Sequence, residues 1–530
     1  MRRYFVSVSA FVLILIVGAG AVYPPALWSL VVVAPLIGLG LRDMLQRQHA
    51  VLRNFPLIGH FRYLLEAIRP EISQYFIESE SSGRPFSREQ RSVVYRRAKE
   101  VLDTVPFGTL KDLYETGYEW VNHSIRPVHV NADDLRVRVG GPDCKQPYSA
   151  SVLNISAMSF GSLSSAAVLA LSRGARAGGF AHNTGEGGVS AYHVEGGADL
   201  IWQLGTGYFG ARAADGGFSP ERFAEQAMRS HVKMVEIKLS QGAKPGHGGI
   251  LPAAKLTEEI ASIRGVPLGH DVLSPPGHSA FSTPLEMLEF IARLRELSGG
   301  KPVGFKLCVG KRREFLAICK AMVKTGIAPD YIAVDGGEGG TGAAPVEFTN
   351  HIGTPLVEGL IFVHNALVGF GLRGRVRVIA SGKIVSGFDL VKRLALGADI
   401  GYSARGMMLA LGCIQALRCN SNHCPVGVAT QDPALVAGLV PGVKAGRVTA
   451  FHRELLESAA EIMGAMGIAS TADLRPWHVM RRTGPDDIHH YGQIHEYLQD
   501  GALLGNDLPE TYARACRSAS AETFQHSVPA

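Results

Sequence analysis

Three cysteines lie close together in the stretch LGCIQALRCNSNHCPVGVAT at residues 411–430. Cys413, Cys419 and Cys424 follow the spacing C-x5-C-x4-C-P, while the other four of the seven cysteines are scattered along the chain. Zinc usually takes four ligands, often in C-x2-C pairs, and only His423 is available to complete such a set. Closely spaced thiolates with a following proline are typical of iron–sulfur proteins. The spacing therefore favours a three-iron cluster or a four-iron cluster that lacks one ligand, with zinc or inert buried cysteines as alternatives.

Five further stretches combine glycine with polar residues that could bind a small molecule: SFGS, NTGEGG, KLSQGAKPGHGG, DGGEGGTGAAP and ASGKIVSG. Each of them follows a short apolar run. Taken singly, each would be read as a tight turn, but five at matching positions indicate a shared site. The loop ASGKIVSG and the later GYSARG offer backbone N–H groups and helix starts, which bind anions. They predict a phosphate-bearing cofactor.

The elements that must position these loops alternate between apolar runs and amphipathic stretches. Eight such runs predict a (β/α)8 TIM barrel, an α/β fold in which the carboxyl ends of all strands meet at one mouth. A doubly wound parallel sheet is the alternative. The predicted strands lie within residues 151–160, 178–188, 200–210, 232–242, 302–310, 330–340, 375–384 and 398–406.

The segment GFGLRG at residues 369–374 matches the dinucleotide-binding pattern G-x-G-x-x-G. It precedes a predicted strand instead of following one, which is the wrong context for that motif. We interpret it as a loop that ends a helix. Since no nicotinamide-binding domain is recognisable, electrons are expected from a separate partner.

The N-terminus carries two uncharged apolar stretches, residues 5–22 and 26–41, separated by the turn YPP. Arginines lie at both outer ends, so the pattern predicts a transmembrane hairpin with both ends in the cytoplasm. A cleaved signal peptide is the alternative. We expect a multi-pass protein of the cytoplasmic membrane with its catalytic domain in the cytoplasm. The predicted division is a hairpin (1–45), a helical connector (46–130), the barrel (131–480) and a C-terminal tail (481–530).

The net charge of +6 is modest, and no cluster of basic residues alternates with aromatic ones. Nucleic-acid binding is therefore not expected.

Taken together, NTGEGG, EIKLSQGAKPGHGG, LSPPGH, DGGEGGTGAAP and GCIQALRCNSNHCPVGVATQ resemble the FMN-binding synthase domain of glutamate synthase. The resemblance covers residues 90–480. The chain looks like the short, membrane-anchored branch of the family. No counterpart of the glutaminase domain or of the C-terminal β-helix domain is recognisable in the sequence. We therefore expect nitrogen to arrive as free ammonia, from a separate glutaminase, or from another amine.

The resemblance implies a barrel that binds FMN beside a [3Fe-4S] cluster and converts 2-oxoglutarate and ammonia, through 2-iminoglutarate, to glutamate. It implies that Cys413, Cys419 and Cys424 hold the cluster and that Glu186, Lys244 and Arg264 face the substrate. It also implies an electron donor such as a ferredoxin or a reductase subunit. The implied FMN-binding residues are Ser156, Ala157, Met158, Lys238, Gln241, Lys306, Asp335, Gly336, Gly337, Gly339, Gly340, Thr341, Ser381, Gly382, Lys383, Ser403 and Arg405.

Two positions depart from the family pattern KPGEGGQLP, which reads KPGHGGILP here. His247 replaces a glutamate, and Ile250 replaces a glutamine near the substrate. Losing an amide removes a hydrogen-bonding group, and specificity changes with such groups. Two alternatives to glutamate synthesis therefore stay open: an FMN enzyme of the same fold that acts on another imine or amine, and a membrane-bound electron-transfer module.

Overall fold

The structure is a computed structural model that describes residues 1–525, and it divides into two compact units, Met1–Glu89 and Gln90–Ala530. The first unit contains α-helices Arg2–Val22, Leu30–Leu45, Ala50–Asn54 and Gly59–Ile72, with a 3-10 turn at Pro24–Ser29 and a π-helical turn at Ser73–Ile77. The helical stretches Arg2–Val22 and Pro24–Leu45 are long and apolar enough to cross a membrane, by length and composition alone. The predicted YPP turn joins them: Tyr23 lies between the two stretches, and the two prolines begin the 3-10 turn Pro24–Ser29.

The second unit is built around eight parallel strands that form a closed barrel. Each strand pairs with the strands before and after it in the chain, and the eighth pairs with the first to close the circle. The strands are β1 Leu153–Ile155, β2 His182–Asn183, β3 Leu200–Leu204, β4 Val232–Lys238, β5 Val303–Cys308, β6 Tyr331–Asp335, β7 Arg377–Ser381 and β8 Ile400–Ser403. All eight lie inside the predicted runs, so the predicted TIM barrel is confirmed.

Helices on the outside of the barrel connect successive strands. Side-chain oxygens cap several of them, as Ser164, Thr283 and Ser386 do at their helix starts, and such caps satisfy otherwise unpaired backbone donors. The principal helices are Ser165–Ala177, Ala191–Gly196, Pro220–Ala227, Pro284–Leu297, Arg312–Thr325, Leu356–Gly369, Gly387–Ala395, Arg405–Leu411 and Pro441–Ala465. The GFGLRG segment follows helix Leu356–Gly369 and precedes β7, as predicted.

Smaller elements close the lower end and the flank of the barrel. Strands Arg136–Val139 and Tyr148–Ser151 form a hairpin. Its buried residues pack with barrel residues such as Ile201 and Tyr331 in one apolar cluster. A second sheet joins Glu119–Val121, Val479–Arg482 and Ile488–His490, and the chain then forms helix Glu510–Ser518. The end of the barrel that the hairpin covers is therefore apolar. The polar candidate residues lie at the opposite end, where the strands end.

The loops after β4 and β6 meet at Gly242. A Cβ placed there would lie 1.7 Å from the carbonyl oxygen of Gly336, so Gly242→Ala must push the two loops apart. We expect this substitution to destabilise the protein by about 1–3 kcal/mol, the usual cost of overpacking, and to lower the thermal midpoint. Gly310→Ala, where nothing lies within 4 Å of an added Cβ, is the control and should leave the midpoint unchanged. Equal midpoints for the two variants would contradict the contact.

Candidate active site

An ion pair lies at the mouth of the barrel between the loop after β2 and the end of β4. The Glu186 carboxylate is 2.7 Å from the ammonium of Lys238, the last residue of β4. Burial alone would raise the pKa of Glu186, but the positive charge of Lys238, helped by Lys244 and Arg264, lowers it overall. Glu186 is therefore held as a carboxylate.

Two further cations come from the long excursion that links β4 to the helix Pro284–Leu297. Arg264 ends the helix Glu258–Arg264 and is 5% exposed, and Lys244 is 2% exposed. Burial lowers the pKa of Arg264 to about 10 and that of Lys244 to about 8, although Glu186 opposes both shifts. The one nearby carboxylate therefore does not offset the effect of burial on either side chain.

The Arg264 guanidinium has unused hydrogen-bonding capacity. Its Nη2 donates to the Phe160 carbonyl at 3.1 Å, and its carbon lies 5.0 Å from the centre of the Phe209 ring. Its buried Nε has no hydrogen-bond partner within the described residues. A buried charged donor without an acceptor is costly, so this Nε is a candidate donor to a bound ligand.

The charges at this mouth do not balance. Glu186 is the one carboxylate coupled to Lys244 and Arg264, and it also pairs with Lys238, which is coupled in addition to the Lys306–Asp335 ion pair, whose two charges cancel. The group thus carries two more positive than negative charges. Buried charges need compensation, so the site is suited to a ligand with two negative charges.

Glycines bring the walls of the site close to Glu186. A Cβ at Gly205 would lie 2.7 Å from its Oε2, and one at Gly249 would lie 2.9 Å from its Oε1. Ile250, the next residue, is half-buried and pairs with Leu273 in a two-stranded ladder. Ile250, which departs from the family pattern, therefore directly follows the glycine that approaches the carboxylate.

His278 and Tyr208 are site residues that the sequence analysis did not assign. His278 Nε2 lies 2.9 Å from the Lys238 carbonyl oxygen, and its Nδ1 lies 3.2 Å from the Tyr208 hydroxyl. Burial lowers the pKa of His278 to about 4, so this imidazole is neutral. The motif LSPPGH, which contains His278, is the feature of the sequence that could have pointed to this residue.

A second ion pair lies deeper in the barrel, between the Lys306 ammonium and the Asp335 carboxylate at 3.5 Å. Asp335 also accepts a 3.0 Å hydrogen bond from the Gly242 N–H. Burial opposes the charge of Lys306, but Asp335, Glu236 and Glu186 raise its pKa overall. Lys306 is therefore held as a cation. Glu236, which sequence reasoning also missed, accepts from Asn183 and Gln203 at 2.8 and 2.6 Å.

Several predicted cofactor-binding residues converge at the ends of β1, β7 and β8. The hydroxyls of Ser156 and Ser381 are 3.2 Å apart, and the Ser156 N–H donates to the Ser403 carbonyl at 3.1 Å. Gly382 and Lys383 turn the chain with φ angles of +152° and +50°. Backbone turns of this kind present N–H groups to anions.

The remaining predicted cofactor residues lie on the same mouth. Arg405 begins the helix after β8, and its Nη2 donates to the Glu338 carbonyl at 2.7 Å. A Cβ on Gly340 would lie 2.9 Å from the Arg405 Nη1, so this loop passes close to the guanidinium. The others are half-buried or exposed around it, except for the buried Gly336: Ala157, Met158, Gln241, Gly336, Gly337, Gly339 and Thr341.

The loop that carries the three cysteines follows helix Arg405–Leu411. Burial, with the nearby thiols of Cys419 and Cys424, raises the pKa of Cys413 to about 11, so the three sulfur atoms are close enough to influence one another. The buried Lys255 ammonium donates to the carbonyls of Cys419 and Ala429 at 2.8 and 2.9 Å. In residues 1–525, no three His, Cys, Asp or Glu side chains are arranged as ligands of one metal ion. The cluster assignment thus stays a prediction.

A family model described as the conserved region in glutamate synthase matches residues 132–469, which is more than half of the chain. The chain belongs to the glutamate synthase family. The predicted family and the enzyme class, an oxidoreductase acting on CH–NH2 donors, are thereby confirmed.

Several glutamate synthase relatives match most of the barrel. The chain is 39% identical to the glutamate synthase large subunit-like protein YerD of Bacillus subtilis (strain 168) over 83% of this chain and 91% of that one. It is 37% identical to the archaeal-type glutamate synthase [NADPH] of Thermotoga neapolitana over 60% of each chain. It is 29% identical to the ferredoxin-dependent glutamate synthase of Antithamnion sp., over 80% of this chain and 27% of that one.

Among solved structures, a mandelate oxidase mutant with (S)-mandelic acid is similar to this glutamate synthase-family chain with a TM-score of 0.42 and 17% identity. The match covers 81% of this chain and 98% of that one.

Proposed function

We propose that the enzyme reductively aminates 2-oxoglutarate to glutamate through 2-iminoglutarate. The observation that carries this proposal is the excess of two buried positive charges at the mouth, formed by Lys238, Lys244 and Arg264 around Glu186. 2-Oxoglutarate is a dicarboxylate, and charge-assisted hydrogen bonds from Arg264 and Lys244 would hold its two ends. The unpartnered Nε of Arg264 is available to one carboxylate.

FMN fits the polar cradle at the ends of β1, β7 and β8. Ser156, Ser381, Gly382, Lys383 and Ser403 would hold its phosphate. When bound, FMN supplies the hydride that reduces the imine carbon. Lys238 and Lys306, both fixed as ion pairs, would place positive charge beside the cofactor.

The protein residues around Glu186 orient the substrate and exclude water. The Phe209 ring lies under the Arg264 guanidinium, so one wall of the pocket is apolar. Glu186 carries negative charge next to the position where an ammonium or iminium nitrogen would lie. It would stabilise the iminium, which is protonated and more easily reduced than a neutral imine.

We extend the proposal to a [3Fe-4S] cluster at Cys413, Cys419 and Cys424. The spacing of the three cysteines within one loop supports it; burial raises the pKa of Cys413 and Cys419, and a positively charged metal centre would favour their thiolate forms instead. The donor would be a separate protein, either a ferredoxin or a reductase subunit. Relatives named as NADPH and as ferredoxin-dependent enzymes are compatible with either donor.

The nitrogen would come from free ammonia or from a separate glutaminase. Ile250, which directly follows the glycine that approaches Glu186, supports one alternative, in which the enzyme acts on a different and more apolar imine. Ile250→Gln, which restores the family residue, should then increase the preference for 2-oxoglutarate.

The proposal is tested by one anaerobic experiment. The full chain is purified with its flavin, reduced to the hydroquinone and mixed with 2-oxoglutarate and ammonium. We expect the flavin to reoxidise and glutamate to form in equal amount. A flavin that stays reduced with this pair, yet reoxidises with another keto acid and amine, would overturn the substrate assignment.

We also propose that the two apolar N-terminal helices span the cytoplasmic membrane as a hairpin, with the barrel on the cytoplasmic side. Their lengths of 21 and 22 residues suit a bilayer. The flanking arginines Arg2, Arg3, Arg42 and Arg47 favour cytoplasmic ends. Fractionation with and without residues 1–45 tests this placement, since only the longer chain should stay in the membrane pellet after a wash with alkaline carbonate, which releases proteins bound at the surface.

Lys244 gives the proposed substrate site a pH dependence. Because burial lowers its pKa to about 8, the fraction of charged ammonium falls as the pH rises through 8. A dianion binds the charged form, so the Kd of 2-oxoglutarate should rise above pH 8 by up to about tenfold per pH unit. Titrations without ammonia, followed by flavin absorbance, measure this slope.

The matched control is Lys244→Arg, which stays charged throughout this range. Its Kd should change little between pH 7 and pH 9. The same slope in both proteins would show that another group titrates.

A further inference from the structure

The first unit carries an uncovered apolar stripe on the helix Gly59–Ile72. Phe61, Leu64, Leu65 and Ile68 are 66%, 55%, 57% and 39% exposed. Their spacing of i, i+3, i+4 and i+7 puts them on one face of the helix. Phe76 and Ile77, in the π-helical turn that follows, are 85% and 73% exposed. Large apolar side chains gathered in this way mark an interaction surface.

The start of this helix is fixed to the end of the second apolar helix. Asp43, in the last turn of Leu30–Leu45, is 3% exposed. Its carboxylate accepts from the Leu57 N–H at 3.1 Å and lies 2.9 Å from Nε2 of His60. His60 is the second residue of the striped helix. The stripe therefore begins at the level where the apolar span ends.

The charges around the stripe suit an anionic surface. Between positions 42 and 69 the chain has five arginines and two acidic residues. Arg62 and Arg69 are exposed. At 100° per residue, they project from the flank of the helix next to Leu65. Arginines at the edge of an apolar face extend their charged ends to lipid headgroups while their stems stay in apolar surroundings.

From these observations we infer that helix Gly59–Ile72 lies in the surface of the cytoplasmic membrane, with its stripe in the acyl–headgroup boundary of anionic phospholipids. The inference rests on the membrane hairpin proposed above. Helices with one apolar face and flanking cations bind membranes in this way.

The test uses the full chain in vesicles of phosphatidylethanolamine and phosphatidylglycerol. A nitroxide side chain, attached to an unnatural ketone residue, is placed singly at Phe61, Leu65 or Ile68, and at Glu66 or Ala67 as controls on the other face. Collision rates with oxygen, which concentrates in lipid, and with a water-soluble nickel chelate are then compared. We expect the ratio of oxygen to nickel collisions to be about tenfold higher on the stripe than at the controls.

Two results would overturn the inference. Nickel access at Leu65 equal to that at Glu66 means that the stripe faces water. Low access to both reagents means that the stripe contacts protein, such as a second copy of this chain. Labels at Leu15 and Val31, in the hairpin, separate the two proposals. Lipid exposure there with water exposure at Leu65 rejects only the surface helix, whereas nickel access at Leu15 rejects the hairpin and the inference with it.

Discussion

Arg264→Ala should weaken binding of 2-oxoglutarate by about a hundredfold or more, the usual effect of truncating one partner of a buried charged pair. The guanidinium is 5% exposed, and its only hydrogen bond to the protein among the described contacts is that to the Phe160 carbonyl. Its remaining donors are therefore free for a carboxylate. The measurement is the Kd of 2-oxoglutarate on the oxidised enzyme, together with its FMN content.

Two variants control this result. Arg264→Lys keeps the charge but loses the planar fork, so it should recover only part of the affinity. Arg173→Ala removes an exposed arginine that pairs with Glu195 on the outer surface and should leave the Kd unchanged. A Kd for Arg264→Ala close to that of the unsubstituted enzyme, with FMN retained, would remove Arg264 from the substrate site.

Cys419→Ser should lower the content of iron and acid-labile sulfide by about tenfold or more, because a cluster held by three thiolates loses one of them. Reduction of the flavin by an external one-electron donor should slow in parallel. FMN should stay bound, since the phosphate cradle at Ser381 and Ser403 is formed by other loops. Iron and sulfide analysis, FMN content and anaerobic reduction kinetics measure the three effects.

The control is Cys144→Ser. Cys144 lies outside the cysteine loop, and its thiol donates to the Gly300 carbonyl at 3.3 Å, at the end of the barrel opposite the mouth. It should keep the full iron content. Unchanged iron in Cys419→Ser would show that this cysteine is not a ligand, and equal losses in both variants would indicate a general loss of folding.

The barrel could be predicted because its signal is local. Apolar runs alternate eight times with amphipathic stretches, and five of the runs are followed by stretches that combine glycine with polar residues. Lys238, Asp335, Ser381 and Ser403 are each the last residue of a strand. A residue in that position must face the mouth of a closed parallel barrel, so their neighbourhood follows from the pattern.

Other site residues have no such local signal. His278 lies 40 residues from the Lys238 carbonyl that it contacts, and Glu236 lies among the apolar residues of β4. A pattern of alternating residue types cannot show that Glu236 accepts hydrogen bonds from Asn183 on β2 and Gln203 on β3. These pairings depend on the register of the barrel, which only the folded chain defines.

The sequence by itself determined the family, the order of the strands, the apolar N-terminal helices and the loops that carry the candidate residues, because these follow from residue type and spacing. Only the tertiary structure decided that Lys244 and Arg264, from one long excursion, are buried beside Glu186. It also decided that their charges exceed those of the carboxylate. The energy of a charge depends on distance and on exclusion of water, and neither quantity is encoded in the separation of residues along the chain.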